Sequence, residues 1–254
     1  MSESIRIGRV VNVGDPIDGS DRNAANHAFF GRVDCNGSEI DVILKIELPY
    51  RLAKELIATS LASRVGIQHS PGLIGVLNLA DLNRLEGAIP VKTETGHLCF
   101  ASEKRLGSTI KAEHHRFDNS PFALELLVFD QFIGNFDRVY GNILEHEGDY
   151  WAFDHDKILF CDAPRWSGLP VSLPVSDMVG MNVARHQANN LSHAKEIAES
   201  YKTKISSASL AFLATIAEIG LLSEDDAATL ISYLTQRAAA LPSIVEAFFK
   251  ANGA

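Results

Sequence analysis

With 254 residues, 46% of them hydrophobic and 22% charged, the chain has enough apolar side chains for one large domain or two lobes with a real core. Its 23 Lys and Arg against 32 Asp and Glu give a net charge of −9, which argues against nucleic-acid binding by charge alone. No stretch nears the roughly 18 uninterrupted apolar residues of a membrane span, the start MSESIRIGRV lacks the apolar run of a signal peptide, and Cys35, Cys99 and Cys161 show neither zinc spacing nor a disulfide framework, so a cytoplasmic protein without a membrane segment is expected.

Up to about residue 105 the pattern is mostly β with one helix. Residues 6–13 are a short apolar run, and 15–26 are polar and turn-rich. Residues 28–33 and 40–46 read as strands joined at Asn36-Gly37, a hairpin signal because both residues tolerate positive φ. Glu47-Leu48-Pro49 ends the second strand. Leu52, Leu56, Ile57, Leu61 and Val65 then recur at helical spacing, with Gly66 as a natural stop. Short strands are expected at 73–77, 87–91 and 98–102. The second half reads as helical. Residues 121–134, PFALELLVFDQFIG, form an apolar helix with Pro121 in its first turn. Strands at 142–145 and 150–153 turn at Gly148-Asp149, and 161–190, punctuated by Pro and Gly, give no assignment. Helices follow at about 191–203, 207–219, 223–239 and 241–251, the third capped by Ser223 with Asp226. The change of character divides the chain into residues 1–105, a β-rich lobe, and 106–254, a mainly helical one.

The chemistry concentrates in NFDRVYGNILEHEGDYWAFDHD, which sets Asp137, Asn142 and Asp154 around a hairpin. Such an order suits phosphoryl transfer: one carboxylate orients a substrate hydroxyl, while an amide and a second carboxylate hold Mg²⁺ on nucleotide phosphates. That reaction also needs a cation on the phosphates and a partner that holds the cation. Lys45, late in the strand DVILKIEL, and Glu55, ten residues on in the following helix, are the candidates, with Lys54 and Glu47 as alternates. Each has an ordinary counterpart: an exposed strand lysine, a helix-surface glutamate, a turn aspartate. Arg138 is expected to pair with a carboxylate or to hold its loop. Asp154 is preferred over Asp156 as metal ligand, although strand alternation puts both on one side, and His155 is expected to pack or hydrogen-bond. The small, polar loop at residues 18–23, with Ser20 at its centre, could cover phosphates with backbone N–H groups or be a plain surface loop; it is not a P-loop. Glu145-His146-Glu147 reads as a solvated turn and His114-His115 as part of a charged connector. HExxH, GxSxG and CxxC are absent, and no cysteine has an activating histidine beside it.

Taken in order, these residues resemble the protein-kinase-like fold. There is no HRD, DFG or APE; the chain has NFD and FDHD instead. DQFIGNFDRVYGN with AFDHDKILF looks like the HipA-like kinases and the type II phosphatidylinositol 4-kinases, which carry a D-x-x-x-x-N catalytic loop and then a strand ending in a metal-binding Asp. KELIATSLASRVGIQHSPG resembles the HipA-like helix and the turn after it. The resemblance covers roughly residues 5–160. It implies an α+β, two-lobed kinase fold with ATP and Mg²⁺ between the lobes. Lys45 and Glu55 are then the lysine–glutamate pair, Asp137 the catalytic aspartate, Asn142 and Asp154 the metal ligands, and Ser102-Glu103-Lys104 the hinge that meets adenine. The chain reads as a compact kinase domain without the extra N-terminal domain of the HipA toxin, so a toxin role does not carry over. The implied acceptor is a hydroxyl, favouring serine or threonine of a protein over a lipid head group. The alternatives are a nucleotide-binding pseudokinase or regulatory module, and a nucleotidyl transferase on the same fold. A metal-dependent hydrolase built on the 145–147 and 154–156 clusters would leave Lys45 unexplained.

Overall fold

The computed structural model describes residues 5–17, 27–78, 91–93, 96–110 and 114–253. Strand β1 (Ile7–Pro16) runs antiparallel to β2 (His27–Cys35), and β2 to β3 (Ser38–Ile46). Their turn is the expected one: φ is 57° at Asn36 and 85° at Gly37, the positive pair that a two-residue hairpin turn requires. Helix α1 (Pro49–Val65) follows, then β4 (Gly72–Leu77), β5 (Val91–Thr93) and β6 (Gly96–Glu103). β4 lies parallel to β1 and antiparallel to β6, and β6 also pairs with β3 from Phe100 to Glu103, so β1-β2-β3-β6-β4 close on themselves, with β5 pairing the start of β6 at Gly96–Leu98. Val10, Val33, Val42, Leu44, Leu73 and Ala101 pack as the core of this closed sheet. A Cβ at Gly31 would lie 2.4 Å from Leu44 Cδ1, so glycine is what lets β2 lie over that side chain. Of the strand expected at 87–91, only Val91 is among the described residues, and the loop at 18–23, Ser20 included, lies outside them.

The expected helix is α1, with Pro49 in its first turn and Gly66, at φ 90°, ending it. Its spacing predicts one apolar face. In the fold, the charged residues Arg51, Lys54 and Glu55 are buried as well, because residues 154–162 pack against that side.

Beyond Glu103 the chain becomes helical. β7 (Ser108–Thr109), β8 (Ile143–His146) and β9 (Asp149–Ala152) form a small antiparallel sheet. Around it lie α2 (His115–Asp118), α3 (Pro121–Ile133), α4 (Met178–His186), α5 (Leu191–Lys204), α6 (Phe212–Glu218) and α7 (Glu224–Asn252). α3 is the central helix, in contact with α4, α5 and α7, and its Leu124, Val128, Phe129 and Phe132 are buried. Ser120 caps its start, its hydroxyl accepting the Ala123 N–H at 3.1 Å.

Four expectations are corrected. The β8–β9 turn is Glu147-Gly148, with φ of 53° and 92°, because Asp149 already pairs with His146. The unassigned stretch 161–190 contains α4, capped by Asp177, whose carboxylate accepts the Gly180 N–H at 2.7 Å. The helix expected from 207 begins at Phe212. The two helices expected at 223–239 and 241–251 are one, with Pro242 inside it. An interior proline costs about 3 kcal/mol. Leu241, Ile244, Val245 and Phe248 are all buried, at roughly 1.5–3 kcal/mol each, so keeping the apolar face continuous outweighs the break. Among the described residues, no helix is long and apolar enough to cross a membrane.

Candidate functional site

Alternation along β3 turns Lys45 away from Leu44 and Ile46, and the side chain runs inward rather than to solvent. It is 8% exposed. Its ammonium bonds Glu55 Oε1 on α1 and, at 2.5 Å, Asp154 Oδ1 in the segment after β9. Burial opposes the charge on Lys45, but Asp154, Glu55 and Glu47 more than offset it and hold its pKa well above the ordinary value. Glu55 is fixed from its other oxygen too, since Oε2 accepts the His155 N–H at 3.0 Å. Burial raises the Glu55 pKa against the pull of Lys45. Burial works in the same direction on Asp154, but there Lys45 wins and the carboxyl is held below its usual range.

Asp154 does not continue the strand. β9 ends at Ala152, and Asp154 takes φ 59°, a left-handed conformation that aspartate tolerates better than most residues. The kink separates it from Asp156, so the expected common facing does not hold. Asp156 turns instead to Arg51, at 3.5 Å, and burial raises its pKa. Of the two alternates, Lys54 leaves the site: it bonds the Cys161 carbonyl, and burial lowers its pKa. Glu47 stays near, with Oε1 4.0 Å from Lys45 Nζ.

Asp137 lies in the loop after α3 and is exposed. Arg138 anchors that loop. Its Nε donates to Asp130 Oδ2 and one of its NH2 groups to Asp130 Oδ1, both at 2.9 Å. That same NH2 group, Nη2, also reaches His155 Nδ1, and the other, Nη1, donates to the Phe153 carbonyl, each at 2.8 Å. With Arg138 donating, Nδ1 of His155 is the acceptor, and burial with the adjacent Arg138 charge keeps that ring neutral, its pKa well below the ordinary value. Arg138 thus both pairs with a carboxylate and holds the loop, joining Asp137's loop to the residues on either side of Asp154. Asn142 closes the short turn Tyr140–Asn142, and its carbonyl accepts the Phe153 N–H at 3.1 Å, which brings it beside the residue preceding Asp154.

A cavity of about 630 Å³ opens beside these groups, within the size range of small-molecule sites. Lys45, Glu55 and Asp154 line its charged end, and Ala28, Ile43, Phe100, Leu144 and Phe153 give it apolar walls. Ser102, Glu103 and Lys104 line it as well. The N–H groups of Glu103 and Lys104 are bonded to the carbonyls of Pro71 and Asp41, at 3.0 and 2.9 Å, so a base held by this segment would meet other backbone groups. The Glu103 carboxylate pairs with Arg6 at 2.7 Å. Among the described residues, no three histidine, cysteine or carboxylate groups form a ready-made metal cage.

The sequence reading missed Asp130, although its signal was visible: a carboxylate directly after the apolar run Leu126–Phe129 of α3, eight residues before Arg138. It also missed the clasp of Arg51 on Asp162, at 2.8 Å, which no local pattern announces.

No protein-family model matches the chain, and no curated protein matches it. Among solved structures, the chain is similar to the proinflammatory kinase CtkA of Helicobacter pylori, with a TM-score of 0.54 and 12% identity, covering 94% of this chain and 96% of that one. At that identity the likeness concerns the fold alone: the chain has a kinase-like fold of mixed α and β structure. The narrower HipA-like resemblance has no matching family model.

Proposed function

We propose that the protein is an ATP- and Mg²⁺-dependent kinase of two lobes that transfers the γ-phosphoryl group to a hydroxyl, favouring serine or threonine of a protein acceptor. One observation carries this reading. Lys45 from β3, Glu55 from α1 and Asp154 after β9 meet in a single bonded network that lines a cavity of about 630 Å³.

In this reading Lys45 holds phosphate oxygens and Glu55 keeps its ammonium in place. Asp154, an ionised carboxylate, and the Asn142 amide are hard oxygen donors, two protein ligands of the kind that suits Mg²⁺ when phosphates and water complete its shell. Bound there, the metal would neutralise charge on the phosphates. Asp137 would orient the acceptor hydroxyl and take its proton. Asp137 is exposed and flanked by Phe136 and Val139, each 37% exposed, which supports an acceptor as large as a protein segment. The HipA-like motifs favour the same acceptor class.

The test is incubation with Mg²⁺ and γ-labelled ATP, with and without cell lysate, beside Asp137→Asn. The parent should label a protein, and the variant should lose about a hundredfold or more of that rate while still binding ATP. Equal transfer by the variant rejects the assignment of Asp137. Tight ATP binding without any transfer by the parent makes the protein a nucleotide-binding module, and label from the α-phosphate on the acceptor makes it a nucleotidyl transferase.

A further inference from the structure

Glu47 lies two residues after Lys45, just past the end of β3. It is 2% exposed, and neither of its carboxyl oxygens has a hydrogen-bond partner among the described residues. Buried polar atoms in native proteins are nearly always bonded, so an orphaned carboxyl beside a functional cation calls for an explanation. The roles given to Glu55 and Asp154 leave Glu47 unused.

Building on the kinase reading above, we propose that Glu47 is a positioning residue that acts through Lys45: neutral, it leaves the ammonium to Glu55 and nucleotide phosphate, and ionised, it draws the ammonium away from them. Lys45 has three donor hydrogens on one tetrahedral nitrogen. Glu55 and Asp154 already take two directions, and Glu47 Oε1 stands 4.0 Å away, close enough to compete after a small rotation of the lysine. The charged groups facing Glu47 are Lys45 from β3, Glu55 from α1, and Asp154 and Asp156 from the segment after β9. Burial is the largest influence and raises the Glu47 pKa to about 8; Lys45 pulls it down, while Glu55, Asp156 and Asp154 push it up. At neutral pH the carboxyl therefore stays protonated and the lysine stays with its partners. In mildly alkaline solution a third carboxylate appears beside it.

The experiment is displacement of a fluorescent ATP analogue by Mg²⁺-ATP from pH 7 to pH 9, on the parent and on Glu47→Gln. One pH unit above its midpoint only about a tenth of Glu47 remains neutral, so the parent's affinity should weaken about tenfold across this range, while that of Glu47→Gln should change by less than about twofold. Melting of the ligand-free proteins gives a second readout. A carboxyl whose folded pKa is raised contributes stability that is present below the ordinary carboxyl pKa and lost as pH rises towards about 8. The parent's melting temperature should thus fall more steeply than the variant's between pH 5 and 8. Glu47→Met, neutral and of similar length, serves if the glutamine variant does not fold. Parallel pH profiles of affinity in parent and variant overturn the role of Glu47 alone. A parent that binds no ATP at any pH overturns the kinase reading together with it.

Discussion

Replacing Arg138 by methionine tests whether one buried guanidinium holds the candidate catalytic loop. Arg138 is 1% exposed and Asp130 2%. The substitution keeps much of the side chain's length but removes both bonds to Asp130 and those to the Phe153 carbonyl and His155. The Asp130 carboxylate would then keep, among the described residues, only the Asn135 amide, at 2.9 Å. Breaking a buried ion pair from one side costs about 3–5 kcal/mol, most of it from the uncompensated charge left behind. In a chain of this size that is a fall of about 10 °C in melting temperature. The assay is urea and thermal unfolding followed by circular dichroism, on Arg138→Met, Asp130→Leu and the double variant. If the orphaned charge dominates, the double variant should be more stable than Arg138→Met, and the cycle should show strong coupling between the sites. A loss below about 1 kcal/mol in the single variant, or a double variant no better than it, refutes the reasoning. The transfer activity proposed above should fall in Arg138→Met and in the double variant, because the Phe153 and His155 contacts are absent from each.

Two further outcomes follow from the geometry. Gly134 ends α3 at φ 67°, and a Cβ there would lie 2.7 Å from the Phe160 ring; Gly134→Ala should therefore destabilise the protein by more than the roughly 1 kcal/mol of the backbone change alone, measured by urea unfolding. Burial, chiefly, and the neighbouring Asp130 raise the Asp177 pKa to about 7. Because the folded pKa is the higher one, its contribution to stability is present below the ordinary carboxyl range and is lost as pH rises through about 7. Asp177→Asn keeps an acceptor for the Gly180 N–H, and its melting temperature should fall less than the parent's between pH 4 and 7; identical slopes would show that Asp177 does not titrate this way.

Local patterns were enough for much of the secondary structure. The Asn36-Gly37 turn, α1 with its proline start and glycine stop, and α3 between Pro121 and Gly134 all depend on neighbours within a few residues, so they are written in the chain itself. The order Lys45, Glu55, Asp137, Asn142, Asp154 was legible for the same reason, as a spacing. The single helix through Pro242 was not, because a proline reads as a break until the packing around it is known. Nor was the burial of Arg51, Lys54 and Glu55, whose covering segment lies about a hundred residues away. Arg138 shows the division most clearly. Its identity and its loop were visible in the sequence, but its pairing with Asp130 and its reach to Phe153 and His155 exist only once α3 and the end of β9 are side by side. The sequence determined which groups are present and which short elements carry them. Tertiary packing decided which charges lose their water, and a charge without water must find a partner. The packing of α1 and of the segment after β9 gave Lys45 to Glu55 and Asp154, and left Glu47, buried beside them, 4.0 Å away without a hydrogen bond.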